Sequence, residues 1–233
     1  MNSHNDNLAV PPIQLLIPLC HTIDEPDGSL AWLLGYCLVS LRTVGGAIQL
    51  DANICLGARF GENLALIQGL AFALNPRAVL AGYDCHDLVS KLSRLPIEAG
   101  DPEPAFDLLA TLRAMLSGHD PVDLALDEES LTEVARQYLG LAPGLHQEGR
   151  DMPHNDAAED GSSDESRSRL PHVAADLVDI ARSYVGSLAA LYFPEKVQPA
   201  IITAWDEWEL SIQPQLAALL HHHEIGGEPI RIS

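Results

Sequence analysis

Basic and aromatic side chains are scarce in this chain of 233 residues. Lys and Arg together number 13, against 33 Asp and Glu, so the formal net charge is −20 at pH 7. Aromatic residues make up only 5% of the sequence. This composition argues against a broad electropositive surface for nucleic acid or anionic lipid, because such surfaces need clustered Lys and Arg. It also indicates no stacking platform of the kind that single-strand binders use.

Long apolar runs and closely paired cysteines are also missing. No run reaches the ~18 apolar residues of a membrane span, and the polar residues 1–7 lack the basic-then-apolar pattern of a secretion signal. The four cysteines, at positions 20, 37, 55 and 85, form no CxxC pair of the kind that binds zinc. Each lies in an apolar segment, which predicts buried, reduced thiols and a cytoplasmic protein.

Hydrophobic residues make up 47% of the chain, enough to bury a core without metal or disulfide staples. The length predicts one domain over residues 11–233, preceded by a flexible tail at 1–10. An acidic stretch rich in Gly, Ser and Ala interrupts this domain. Because it has too little apolar surface to offset its ordering entropy, we expect a disordered insertion at about 146–169.

The first third of the sequence predicts three antiparallel strands. Residues 13–23, 30–42 and 47–56 are apolar or alternating, and turn signals separate them at 24–28 (DEPDG) and at Gly45-Gly46. The pattern then changes to a helix at 62–74, a short buried strand of the parallel kind at 78–82, and a helix at 84–95. Three strands joined by tight turns indicate a meander.

Helical spacing dominates the rest of the chain. Apolar residues recur at helical intervals over 106–116, 130–139, 171–192 and 198–221. The predicted fold class is therefore α/β, with a mixed sheet of three antiparallel strands followed by parallel strands, flanked by helices. Trp205 and Trp208 share one helix face at a spacing of three, which fits either core packing or an interface.

Three segments of this layout resemble one family. The segment LAGYDCHDLVSKL at 80–92 carries Asp84 and Asp87 where a strand passes into a helix. A segment beginning SLTEVA follows at residue 130, and His172 and Asp176 open a late helix. This order resembles the DEDD-type 3′–5′ exonucleases, the DnaQ-like branch of the ribonuclease H-like fold.

The resemblance implies a two-cation nuclease site. In such a site, two Mg²⁺ or Mn²⁺ ions about 3.5–4 Å apart activate a water and stabilise the leaving oxygen. Hard cations take oxygen ligands, so the family uses about four carboxylates. Carried onto this sequence, the resemblance makes Asp84, Asp87 and Asp176 metal ligands, with His172 as the catalytic residue that serves the water. Single-stranded DNA or RNA is the implied substrate.

The first strand departs from the family pattern. The family places Asp-x-Glu there, whereas this chain has Pro18 and Cys20, and neither is a hard oxygen donor. We therefore predict a pseudoenzyme: an exonuclease-fold protein that has lost metal-dependent activity and acts by binding or assembly, with single-stranded nucleic acid or a protein as its partner and no membrane.

Two alternatives remain open. The first is an active exonuclease with a rearranged site, in which the turn brings in Asp24 or Glu25. The second is an α/β interaction protein whose acidic insertion meets a basic partner.

Overall fold

A computed structural model shows how the elements of the chain are arranged. The residues that the structure describes are 12–25, 28–45, 47–57, 64–74, 78–82, 85–93, 95, 105–107, 163–219 and 229–233. The predicted tail at 1–10, the predicted helix at 130–139 and the part of the acidic insertion at 146–162 lie outside these residues.

The predicted meander is confirmed. Strands β1 (Ile13–Glu25), β2 (Gly28–Val44) and β3 (Ala47–Leu56) pair antiparallel in sequence order. Gly45 begins the β2–β3 turn with φ of 61°, a left-handed conformation that glycine adopts without a steric penalty. The turn fixes the register, so that Val44 lies opposite Ala47 and each earlier residue of β2 meets a later one of β3.

Parallel pairing begins after helix α1 (Leu64–Ala73). Strand β4 (Ala78–Gly82) lies parallel to β1, as predicted, and leads into helix α2 (Cys85–Leu92). A three-residue strand, β5 (Ala105–Asp107), then pairs parallel with β4. The predicted helix from residue 106 is therefore wrong at its start, because Phe106 belongs to this strand. The ring of Phe106 is buried and makes edge contacts with Tyr184 and Tyr192.

Two long helices and a short strand complete the described structure: α3 (Ser163–Tyr192), α4 (Gln198–Leu219) and β6 (Ile230–Ile232). Helix α3 starts earlier than predicted, so residues 163–169 of the expected insertion are helical, and Pro171 lies inside the helix. The sheet order is β5-β4-β1-β2-β3-β6. The α/β class with a mixed sheet flanked by helices is thus confirmed.

Apolar side chains are buried on both faces of this sheet. One face packs against α3 and α4. The fully buried residues of the core between them include Leu15, Ile17, Ile54 and Leu56 from the sheet and Leu177 and Trp205 from the helices. The other face packs against α1 and α2, and its buried members include Leu16, Cys20, Tyr36, Cys55, Leu66 and Leu70. Alternate residues of β1 and β3 enter opposite clusters, as the two-residue repeat of a strand requires.

The two tryptophans of α4 pack in the core. Trp205 and Trp208 are both buried, with ring centroids 4.7 Å apart. Trp208 Nε1 donates a hydrogen bond to the carbonyl oxygen of Ala52 at 2.9 Å, and Trp205 Nε1 donates to a carboxylate oxygen of Glu209 at 3.1 Å. These bonds satisfy both indole N–H groups, so the core alternative is the one that the structure supports.

A partly buried ion-pair network links α3 to α4. Arg182 reaches Asp206 at 2.8 Å and Glu209 at 3.1 Å through separate guanidinium nitrogens. Such partly solvated pairs contribute little on their own, so the apolar contact between the helices supplies most of the stability. None of the described helices combines the length and apolar character needed to cross a bilayer.

All four cysteines are buried thiols that form no disulfide, as predicted.

Candidate metal site

The middle of β1 is where the exonuclease resemblance expects two carboxylates. Pro18 and Cys20 are both buried, and alternation along the strand turns them toward the same face of the sheet. Cys20 packs in the cluster beneath α1. Every residue from 15 to 20 is buried. This stretch of β1 therefore forms part of the core, and it offers no anionic oxygen to a cation.

The neighbours of Pro18 across the sheet form an environment that disfavours a negative charge. Pro18 is the pairing partner of Tyr36 on β2, which in turn lies opposite Cys55 on β3. Burial raises the pKa of Tyr36 well above its ordinary value, and a hydrogen bond with the Cys55 thiol adds to this shift. On the opposite face, burial also raises the pKa of Cys37. The same desolvation would penalise an ionised carboxylate at this point of the sheet.

The acidic residues of the segment after β4 lie only partly within the described structure. Asp84 is outside the described residues. Asp87 belongs to α2, but its side-chain position is not among the described features. Their assignment as metal ligands therefore stays a prediction.

A thiol lies where β4 and β5 end. Cys85 opens α2, and its Sγ is 3.5 Å from the carbonyl oxygen of Phe106 and 3.9 Å from that of Leu80. The thiol is buried, and backbone carbonyl oxygens are the acceptors within its reach. Close packing continues at Gly82, where an added methyl group would lie 2.8 Å from Leu88 Cδ2. The described side chains at this junction are thus a thiol and hydrocarbon.

His172 and Asp176 lie together on α3, but on its solvent side. Both residues are exposed, and their spacing of four places them on one helix face, as predicted. The residues that α3 turns toward the sheet are apolar: Val173, Ala174 and Leu177 are all buried. The helix therefore presents hydrocarbon to β1 and β2, and it presents the candidate catalytic pair away from them.

Desolvation and two charged neighbours on α3 act on the pKa of Asp176. Partial desolvation raises the pKa of the Asp176 carboxyl, the negative charge of Asp179 raises it further, and His172 lowers it. A bound cation would shift this pKa in the opposite direction.

The described side chains do not fit a two-cation site. No group of three or more His, Cys, Asp or Glu that could hold a metal ion occurs among them. The β1 positions supply a proline and a thiol, and Asp176 points to solvent. Within this part of the chain, no catalytic step through Mg²⁺ or Mn²⁺ can be derived.

A cleft that the sequence pattern did not indicate lies on the sheet at the start of β1, and apolar residues line it together with polar ones. It has a volume of about 620 Å³, and Gln14, Ser40, Arg42 and Asp51 are among the residues that line it. Arg42 Nη2 is 3.2 Å from Asp51 Oδ2, and Arg42 Nε donates to Gln49 Oε1 at 3.2 Å. Since both partners of the ion pair are about half exposed, the cleft is a solvated surface with its charges already paired.

The position of the Gly45-Gly46 turn in the sequence is enough to predict which residues of β2 and β3 lie opposite each other in this cleft. Counting outward from the Gly45-Gly46 turn pairs Arg42 with Gln49 and Ser40 with Asp51, and the structure has this register. Alternation then places Arg42, Ser40 and their partners on one face.

Comparison of the chain with models of protein families, with curated proteins and with solved structures finds no match.

Proposed function

We propose that this chain is a ribonuclease H-like domain related to the DEDD-type exonucleases, that it has lost the two-cation reaction, and that it acts by binding or assembly. The order of pairing supports the fold part of this proposal. An antiparallel β1-β2-β3 meander followed by β4 and β5, parallel to β1, is the arrangement that the resemblance implies.

The observation that carries the functional part is the chemistry of β1. Two-metal catalysis needs anionic oxygens that hold the cations beside the reacting phosphate. The corresponding positions here are Pro18 and Cys20, which are buried against apolar neighbours. Neither a rotamer change nor a change of pH turns these side chains into oxygen ligands. The loss therefore lies in the sequence itself.

The orientation of α3 supports the same proposal. His172 and Asp176 would have to face the end of β1 to share a cation pair with its residues, yet the sheet-facing side of α3 is apolar. Rotating the helix to bring Asp176 inward would expose Leu177 and Val173 to water. Burying a large aliphatic side chain contributes about 1.5–3 kcal/mol, so such a rotation is strongly opposed.

The decisive experiment compares three proteins: wild type, Asp176→Ala, and Asp179→Ala as a matched control. Both replaced residues are exposed acids on the same helix, one turn apart, so both variants should fold. Calorimetric titration with Mn²⁺ and degradation of end-labelled single-stranded DNA and RNA are measured on each.

We expect the three proteins to behave alike, with no cation-dependent shortening of either strand and no specific Mn²⁺ binding. The proposal fails if wild type and Asp179→Ala bind Mn²⁺ and degrade a strand while Asp176→Ala does neither. That pattern would establish the rearranged active site as the correct reading.

The binding role has a separate measurement. Fluorescence anisotropy with the same labelled strands is recorded in EDTA and in Mn²⁺. If the domain binds single strands without metal chemistry, the affinity should be the same in both buffers and in Asp176→Ala. An affinity that disappears in EDTA contradicts metal-independent binding, even if no degradation occurs.

A further inference from the structure

We draw no further inference here: the strongest candidate, the uncharged outer stripe of helix α1 on which Leu64 and Phe72 are 60% and 84% exposed, carries nothing because no feature of the described part of the chain indicates what covers it.

Discussion

The contact between α1 and β2 depends on the absence of a single methyl group. Gly69 lies inside α1, and a methyl group added there would lie 2.7 Å from Tyr36 Oη. The next nearest atoms, Cζ and Cε1 of the same ring, would lie at 3.7 and 3.8 Å, which is ordinary van der Waals contact. The steric conflict of Gly69→Ala is therefore with one oxygen atom.

That oxygen cannot move away freely. Tyr36 is 8% exposed and its hydroxyl is hydrogen-bonded to the Cys55 thiol, so the core around the ring holds it in place. Overpacking a core of this kind costs about 1–3 kcal/mol. Alanine in place of glycine inside a helix raises the free energy of unfolding by roughly 0.5–1 kcal/mol. We expect Gly69→Ala to lower the free energy of unfolding by about 0–2.5 kcal/mol, the net of these two effects, with a middle value of about 1 kcal/mol.

Tyr36→Phe removes the oxygen atom that the methyl group of Gly69→Ala would meet. In this background Gly69→Ala should raise the free energy of unfolding instead of lowering it. On its own, Tyr36→Phe loses the hydrogen bond with Cys55, which costs about 0.5–1.5 kcal/mol. In the Tyr36→Phe background, however, Gly69→Ala should stabilise the protein by roughly 0.5–1 kcal/mol through helix propensity alone. The double-mutant cycle should therefore give a favourable coupling free energy of about 2 kcal/mol between the two substitutions.

The assay is urea unfolding followed by tryptophan fluorescence, since Trp205 and Trp208 are buried and should report loss of the core. Gly186→Ala is the matched control. It is also a helical glycine, but the nearest atom to its added methyl group is Ile202 Cδ1 at 4.0 Å. It should stabilise the protein in either background. A Gly69→Ala protein as stable as Gly186→Ala, with no coupling to Tyr36→Phe, would refute the packing of α1 on β2 described above.

Three further predictions concern the other face of the sheet and helix α3. The methyl group of Gly35→Ala would lie 2.7 Å from the backbone carbonyl oxygen of Cys55 and 2.8 Å from Leu177 Cδ1 on α3. The substitution should therefore lower the free energy of unfolding, measured in urea, by about 1–3 kcal/mol. Unchanged stability would show that α3 does not approach β2 so closely. Trp208→Phe leaves the carbonyl oxygen of Ala52 without its indole donor at a cost of about 1–3 kcal/mol, and an unaltered urea midpoint would contradict that bond. Asp176→Asn removes a carboxyl whose pKa is raised in the folded state above its ordinary 3.8. Because ionising such a group disfavours folding, the variant should melt higher than wild type at neutral pH, and the difference should shrink as pH falls toward and below 3.8; a difference that grows in acid would show the opposite shift.

The meander and the first half of the α/β pattern could be read from the sequence because their signals are local. Gly45 and Gly46 mark a two-residue turn, and the strands on either side have runs long enough to show their period. The short strands β5 and β6 could not be found this way. Each has three residues, too few for a period, and each exists because a longer neighbour offers backbone hydrogen bonds at its edge. Phe106 accordingly looked helical in sequence and lies in a strand.

For the candidate site, too, one part could be predicted from the sequence and another part could not. A spacing of four was sufficient to place His172 and Asp176 on one face of a helix, because helix geometry is the same everywhere. Which way that face points was decided by packing: the apolar residues between them cover the sheet, which leaves the polar pair in water.

For the protein as a whole, the amino-acid sequence by itself determined the turns and the α/β order, since these are properties of neighbouring residues. It also determined that Pro18 and Cys20 stand where the exonuclease resemblance expects carboxylates, which is a matter of residue type. Only the tertiary structure decided that Pro18 is buried opposite Tyr36, which in turn lies opposite Cys55. The physical reason is that desolvation depends on every element packed around a position, and those elements come from distant parts of the chain.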